Sequence, residues 1–432
     1  MDILYELLTL QKIKNLKILL VNTSERVGGA AIAASRLMSA LKHSGARCSM
    51  LVRDRQSEMI SVTSIRSSWM LTVKFLWERM VIWVNNALRR RNIWQVDIAN
   101  TGTDITCLPE FKSADVVHLH WVNQGFLSLN NIEAILRSDK HIVVTMHDMW
   151  YFTGICHYAG NCDRYEKGCF HCPLLTRGGV FTDLAKKVWE RKAEMYKDAN
   201  ITFVGCSQWM ANMAQRSALA RNHKVVSIPN AIDTELFAPH DKTEARKKLH
   251  LPLDKTLLLF TCQRITDPRK GFSLLVEAIK ALLRQQPQLK DKLTIVVVGG
   301  DSSKAQDLLP LPVRMVNYLH DEQSMVGLYN AADIYVTPSL QDNLPNTIVE
   351  AMACGLPCVG FNVGGIPEMI DHEVNGYVAE YRNSEDFARG ILWTIDPERQ
   401  DKLSVEARSK AEETYSEQHI AHLYNNIYAR QD

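Results

Sequence analysis

Short apolar runs alternate with stretches of helical periodicity along almost the whole chain. The first run, residues 16–22 (LKILLVN), leads through a polar turn at 23–29 into the helical pattern AAIAASRLMSAL. An uninterrupted apolar run between turn residues marks a strand covered on both faces, as in a parallel sheet. Runs of the same kind recur at 49–53, 115–120, 141–147, 201–205 and 224–228. A polar, proline-containing stretch at 229–253 ends this series, and a second one follows at 256–261, 293–299, 314–319, 333–337 and 357–361. Strands alternating with helices in two series predict an α/β protein of two Rossmann-like, doubly wound domains. The expected division is an N-terminal domain over 1–228 and a second domain over 229–403. The helical segment 404–432 has no strand to feed and is expected to cross back to the first domain. A short helix is also expected in 1–14.

Composition narrows the class. In 432 residues, 50 Lys and Arg face 48 Asp and Glu, a formal net charge of +2, so no global positive field points to nucleic acid. The ten cysteines are too thinly spread for the disulfide scaffold of a small secreted domain. Residues 1–16 carry Asp2, Glu6, Lys12 and Lys14 and no small-residue cleavage site, so no secretory signal is expected. The charge-free run 351–367 holds four glycines and two prolines and reads as loop and strand, not as a membrane span. These features point to a reducing cytoplasm.

The most informative stretch is 339–370, SLQDNLPNTIVEAMACGLPCVGFNVGGIPEMI. Pro345 disfavours helix at Leu344 and suits a helix start, so Asp342 falls in a loop and Glu350 in the second turn of the helix that follows. Two carboxylates then border one helix N-terminus. The turn formed by Asn343, Leu344, Asn346 and Thr347 offers backbone N–H groups to a diphosphate. Glu350 can accept from vicinal hydroxyls such as those of a ribose, and Asp342 from hydroxyls of a sugar. A second constellation, 263–272 (QRITDPRKGF), sets Arg264 at the end of a strand and Arg269 and Lys270 after a turn built by Asp267 and Pro268. Ligands of open α/β sheets bind at the carboxyl ends of strands, so these cations can share one phosphate site with the helix after Pro345. By spacing alone, Asp342 also reads as a turn residue, Glu350 as a solvated helix charge and the cations as a solvated turn.

Together these segments resemble the retaining glycosyltransferases of family 4, whose GT-B fold sets two Rossmann-like domains facing across a cleft. The resemblance rests on VGGA at 27–30, VTMHD at 144–148, SIPNAID at 227–233 and RKGF at 269–272. It continues through ADIYVTPS at 332–339, EAMACGLPCV at 350–359 and NVGGIPEMI at 362–370, and so extends over most of the chain. It implies a nucleotide-diphospho-sugar donor, with Arg264 and Lys270 on the diphosphate, Glu350 on the ribose and Asp342 on sugar hydroxyls. It also implies that Gly28 and Gly29 approach the donor phosphates or the acceptor, where a Cβ would crowd, and that His147 approaches the transferred sugar. Asp342 stands where the family has Glu, one methylene shorter, and Ala231 stands where the family has a glycine. The base is expected near Tyr318 and Leu319. Without the resemblance, His147 reads as structural, and Gly28-Gly29 lacks the G-x-G-x-x-G of a dinucleotide site.

The reaction implied is glycosyl transfer, with retention, to a hydroxyl of a lipid-linked or saccharide acceptor in bacterial surface polysaccharide synthesis. With Arg and Lys neutralising the leaving phosphate, no catalytic metal is expected. The alternatives are a sugar-nucleotide epimerase of the same fold and an inactive nucleotide-sugar-binding subunit.

Two features lie outside that scheme. Cys156, Cys162, Cys169 and Cys172 fall within 17 residues together with His157 and His171, in an insert at 154–174. Four thiolates can close a structural zinc site, although only Cys169-x-x-Cys172 has a familiar ligand spacing. Reduced thiols and disulfides are the alternatives. A similar insert occurs in a subset of the family resembled, and its proximity to His147 places it on the acceptor side. The segment 66–94 carries Trp69, Trp77, Trp83 and Trp94, a basic end at Arg89, Arg90 and Arg91, and apolar residues at helical spacing. It reads either as a core-packed helix with a solvated basic end or as a peripheral contact on the inner membrane face. The remaining cysteines, Cys48, Cys107, Cys206, Cys262, Cys354 and Cys358, read as buried small hydrophobes.

Overall fold

The computed structural model describes residues 15–65, 69–301, 304–317, 319 and 321–429. The helix expected in 1–14, Arg66 and Tyr318 lie outside the described residues. Each apolar run of the first series forms a parallel strand: β1 (Lys17–Ser24), β2 (Arg47–Asp54), β4 (Val116–Leu119), β5 (His141–Met146), β6 (Ile201–Gly205) and β7 (Lys224–Ser227). A three-residue strand, β3 (Val62–Ser64), too short to leave a periodic signal, is added at the edge. The sheet order is β3-β2-β1-β4-β5-β6-β7, with every neighbouring pair parallel. Successive side chains of a strand point to opposite faces, and two cores result. Leu19, Val21, Val117, Leu119 and Val144 serve one face; Ile18, Leu20, Val116, Val143 and Val204 serve the other. Helix α1 (Gly29–His43) covers the second face through Ala34, Leu37, Met38 and Leu41.

The second series forms β8 (Thr256–Arg264), β9 (Leu293–Gly300), β10 (Val313–Val316), β11 (Ile334–Thr337), β12 (Cys358–Phe361) and a short β13 (Gly376–Ala379). Their order is β10-β9-β8-β11-β12-β13, again wholly parallel. Leu275, Ile279 and Leu282 from one helix and Phe387 and Ile391 from another close its core.

The chain divides between Ala231 and Ile232, and it rejoins the first unit at Ile420. The C-terminal segment is two helices, Pro397–Tyr415 and Glu417–Ala429. The first stays with the second unit, where Leu403, Ala407 and Ala411 are buried and the Arg408 guanidinium donates to the carbonyls of Thr234, Phe237 and Ala353. The second places Ile420, Ala421, Tyr424 and Tyr428 in the core of the first unit. There the Tyr428 hydroxyl lies 2.7 Å from His118 Nδ1, His118 Nε2 lies 2.7 Å from Thr145 Oγ1, and Thr145 lies 2.9 Å from the Tyr424 hydroxyl. Among the described residues, no helix is long and apolar enough to cross a membrane.

Removing one member of this buried chain strands its partner. Tyr428→Phe is expected to cost about 1–3 kcal/mol, the penalty of an unsatisfied buried polar group. Tyr428→Ala adds a cavity and is expected to cost about 3–5 kcal/mol. Urea unfolding followed by tryptophan fluorescence measures both, since Trp121 and Trp150 belong to this unit.

Candidate functional site

In the second unit the strand order reverses between β8 and β11, where an open α/β sheet leaves a crevice at its carboxyl edge. The register of β8 against β9 is irregular between Thr261 and Arg264, and Arg264 stands exposed as the last residue of the strand. One 3-10 turn follows, Pro268–Lys270, capped by Asp267. The Asp267 carboxylate accepts from the Arg269 backbone N–H and binds its guanidinium at 2.8 Å, so Arg269 is turned back on its own loop. Lys270 points the other way, and its Nζ lies 2.6 Å from Asp342 Oδ2 in a half-buried ion pair.

Two glycines allow the loops to meet. Gly271 has a φ of +65°, and a Cβ there would stand 1.8 Å from the Pro338 carbonyl oxygen. The loop after β8 can therefore lie against the loop after β11, where the Leu340 N–H donates to the Arg269 carbonyl. Gly364, with a φ of +59°, comes equally close to the Asp342 carbonyl, and the Gly365 N–H donates to that of Asn343. Asp342 and Asn343 are thus held from both sides.

The next helix, Asn346–Ala353, starts after Pro345 as its N-cap, and no side chain caps it. Glu350 is buried in its second turn and accepts from the Tyr329 hydroxyl at 2.7 Å. Burial and the Glu350 charge push the Tyr329 phenol well above its ordinary pKa, so it remains a donor. The Tyr335 hydroxyl fixes Thr347 at 2.8 Å, and Asn343 and Leu344 are buried. Leu319 follows β10, half-buried, with both chain neighbours outside the described residues.

In the first unit, Gly28 is the N-cap of α1 with a φ of +93°. Nothing lies within 4 Å of a Cβ placed there, so backbone conformation, not crowding by the chain, is what calls for glycine. Gly29 is the exposed first residue of α1. Ala231 is buried and has no positive φ, so the missing glycine costs nothing at this turn.

His147 follows β5 and meets residues from both adjacent strand ends. Its Nε2 lies 3.0 Å from His120 Nδ1, beyond β4, and its Nδ1 lies 3.5 Å from Cys206 Sγ, beyond β6. Burial pushes the His147 pKa down to about 4 despite the opposing charge of Asp148. Burial and the neighbouring imidazoles also take His118 and His120 well below their ordinary value. All three rings are neutral near pH 7. A small cavity is lined by His120, His147, Asn230, Ala231 and Tyr424, and His120 Nε2 is buried without a hydrogen-bond partner.

Asp148 accepts from His157 Nδ1 at 2.8 Å, from Trp121 Nε1 at 2.9 Å and from the Trp150 N–H at 2.8 Å. Burial opposes its ionisation, but these donors and the His157 charge hold its carboxyl below the ordinary range. His118, His120 and Tyr329 belong to none of the sequence motifs above, and Cys206 meets His147 where its sequence context marks only a buried small hydrophobe. The available signal was HLHW at 118–121, which ends β4 as MHD at 146–148 ends β5.

In the insert, Cys156 and Cys172 are buried and Cys162 and Cys169 are half-buried, all as free thiols. Burial raises Cys172 to about 11, and the neighbouring cysteines add to the shift. The Gly154 N–H donates to Cys169 Sγ at 3.1 Å. Buried Lys192 donates to the carbonyls of Trp150, Thr153 and Gly154. Among the described residues, no group of three or more His, Cys, Asp or Glu is placed to hold a metal ion. Cys156, Cys162, Cys169 and Cys172, expected as a structural zinc site, lie here as free thiols outside any such grouping. Cys107 is exposed and Cys262 half-buried, unlike the core thiols expected.

Residues 255–396, inside the second unit, match the family model of glycosyl transferases group 1. The chain is 32% identical over 200 residues to a D-inositol 3-phosphate glycosyltransferase of Saccharomonospora viridis, which is 44% of this chain and 46% of that one. The chain thus spans just under half the length of the curated relatives it matches. Sucrose-phosphate synthase of Thermosynechococcus elongatus is similar in structure, with a TM-score of 0.67 at 19% identity over 96% of this chain and 98% of that one. HepE of Anabaena in complex with UDP-glucose gives a TM-score of 0.62 at 16% identity over 96% and 99%. The second unit contains a glycosyltransferase group 1 domain, and the chain has the GT-B fold of two parallel-sheet, Rossmann-like units.

The histidine cluster has a pH signature. A group whose folded pKa lies below its unfolded value stabilises the fold above the unfolded pKa and loses that contribution as pH falls. Melting of the first unit is expected to drop by about 5 °C or more as pH falls from 6.5 towards 4, and His147→Gln is expected to flatten the slope. Circular dichroism melts across that range measure it.

Proposed function

We propose that the protein is a retaining glycosyltransferase acting in the cytoplasm, moving a hexosyl group from a nucleotide-diphospho-sugar to a hydroxyl of a lipid-linked or saccharide acceptor in surface polysaccharide synthesis. The observation that carries this reading is the 2.6 Å contact between Lys270 and Asp342 at the carboxyl edge of the second sheet. A cation suited to a phosphate and a carboxylate suited to sugar hydroxyls adjoin where a diphosphate and its sugar must also adjoin. HepE in complex with UDP-glucose supports a UDP-hexose as the first donor to try.

As the bond between the anomeric carbon and the phosphate oxygen breaks, its electrons go to the departing diphosphate. Arg264 and Lys270 neutralise that charge, and the uncapped start of helix Asn346–Ala353 adds its backbone dipoles. Lys270 exchanges Asp342 for phosphate when donor enters, which releases Asp342 to accept from a sugar hydroxyl. Glu350, oriented by Tyr329, accepts from the ribose hydroxyls. In the first unit, neutral His147 serves as a hydrogen-bonding group and not as a cation.

Lys270→Ala is expected to lower kcat by about 10²–10³, since it removes one preorganised stabiliser of the leaving group. Glu350→Gln is expected to weaken donor binding about tenfold, with a smaller effect on kcat. Transfer of labelled hexose from UDP-hexose to a lipid-extracted acceptor measures the first effect, and calorimetric titration with UDP the second. Full activity in both variants would sink the site assignment. A wild-type chain that binds UDP-hexose but transfers no label to any acceptor fraction is a binding subunit instead.

A further inference from the structure

Helix α2 (Trp69–Asn85) is built inside out. Its inward face carries charge: Glu78 and Arg79 are buried, and Arg79 donates to Asp97 at 3.0 Å and to the carbonyls of Ile93 and Val96. Its outward face is apolar. Trp69, Met70, Val73, Leu76, Trp77 and Met80 recur at helical spacing and are 42% to 76% exposed. A surface helix of a soluble domain has the opposite arrangement. The core-packed reading of 66–94 holds for Ile82, Leu71 and Val81, which pack into the core of the first unit, while the stripe from Trp69 to Met80 stays exposed.

The patch extends beyond the helix. The Val180 N–H donates to the Asn85 carbonyl at 2.9 Å and the Thr182 N–H to Asn85 Oδ1 at 3.1 Å, which sets Phe181, 78% exposed, beside the end of α2. Arg89, Arg90 and Arg91 follow the helix and are exposed. From residue 69 to 96 the only carboxylate is the buried Glu78, and 170–182 contains none. The exposed residues of these two described segments are mainly aromatic, aliphatic and cationic, with no exposed carboxylate among them.

We propose that this face docks on an anionic phospholipid bilayer, with Trp69, Trp77 and Phe181 at the boundary between headgroups and acyl chains and Arg89, Arg90 and Arg91 on lipid phosphates. Tryptophan favours that boundary because its ring is apolar and its N–H polar, and clustered arginines are drawn to the negative surface potential. Charge selects this occupant over a second copy of the chain. An isologous pairing would bring the same cations against segments that carry no exposed carboxylate to receive them.

The inference is independent of the transferase reading, because vesicle binding is read without donor or acceptor. Flotation of the full chain is measured with vesicles of phosphatidylcholine alone and of phosphatidylcholine mixed with phosphatidylglycerol, at low and high salt. Binding is expected to require phosphatidylglycerol and to weaken with salt. Combined Arg89→Glu, Arg90→Glu and Arg91→Glu is expected to lower partitioning about a hundredfold, at about fivefold per arginine. Trp77→Ser is expected to lower it about tenfold. All four positions are exposed, and an unchanged thermal melt verifies that each variant folds. No binding to the anionic vesicles, or binding that both variants leave intact, would overturn the proposal. So would a concentration-dependent dimer that Trp77→Ser dissolves and that ignores vesicles, which would assign the face to a second copy.

Discussion

A wholly parallel sheet sends every strand out at the same edge, and the chain must cross back over a face before the next strand begins. The loops at one edge therefore collect side chains far apart in sequence. In the second unit this constraint sets Arg264 at the end of β8 and brings Lys270, which follows β8, against Asp342, which follows β11 and is met in turn by Gly364, which follows β12. In the first unit it brings His120, His147 and Cys206 together from β4, β5 and β6. Two sheets of the same design thus carry two clusters of opposite electrical character.

The contrast between the clusters follows from how each is covered. The second unit leaves Arg264 exposed and half-buries the Lys270–Asp342 pair, so its groups keep charge with which to meet an anion. The first unit buries its histidines under Tyr424 and Tyr428, and a buried imidazole sheds its proton. The returning helix Glu417–Ala429 is thus a structural cover and also sets the protonation of the residues beneath it. The insert acts in the same region through His157, which with Trp121 holds Asp148 beside His147.

Regular elements were legible wherever a long apolar run decided them. Both series of strands, the helix after Pro345 and the place of Glu350 in its second turn follow from local pattern and from proline's missing donor. The strands β3 and β13 were not legible: β3 (VTS) has three residues, and β13 (GYVA) opens on glycine and offers no apolar run. Helix α2 shows a different limit. Its periodicity is plain, but period alone does not say which stripe faces in, and the buried Glu78–Arg79 face is decided by Asp97, contributed from elsewhere in the chain.

By itself, the sequence determined the two doubly wound units and the chemical types at their strand ends, because apolar runs, glycines and proline act through local sterics and burial. Only the tertiary structure decided which of those residues meet. It paired Lys270 with Asp342 while turning Arg269 back on Asp267, and it placed His120 and Cys206 on His147. It also left the four cysteines of the insert as free thiols, two buried and two half-buried. The reason is physical: contact, desolvation and pKa depend on distances across strands that are remote in sequence, and no local pattern encodes them.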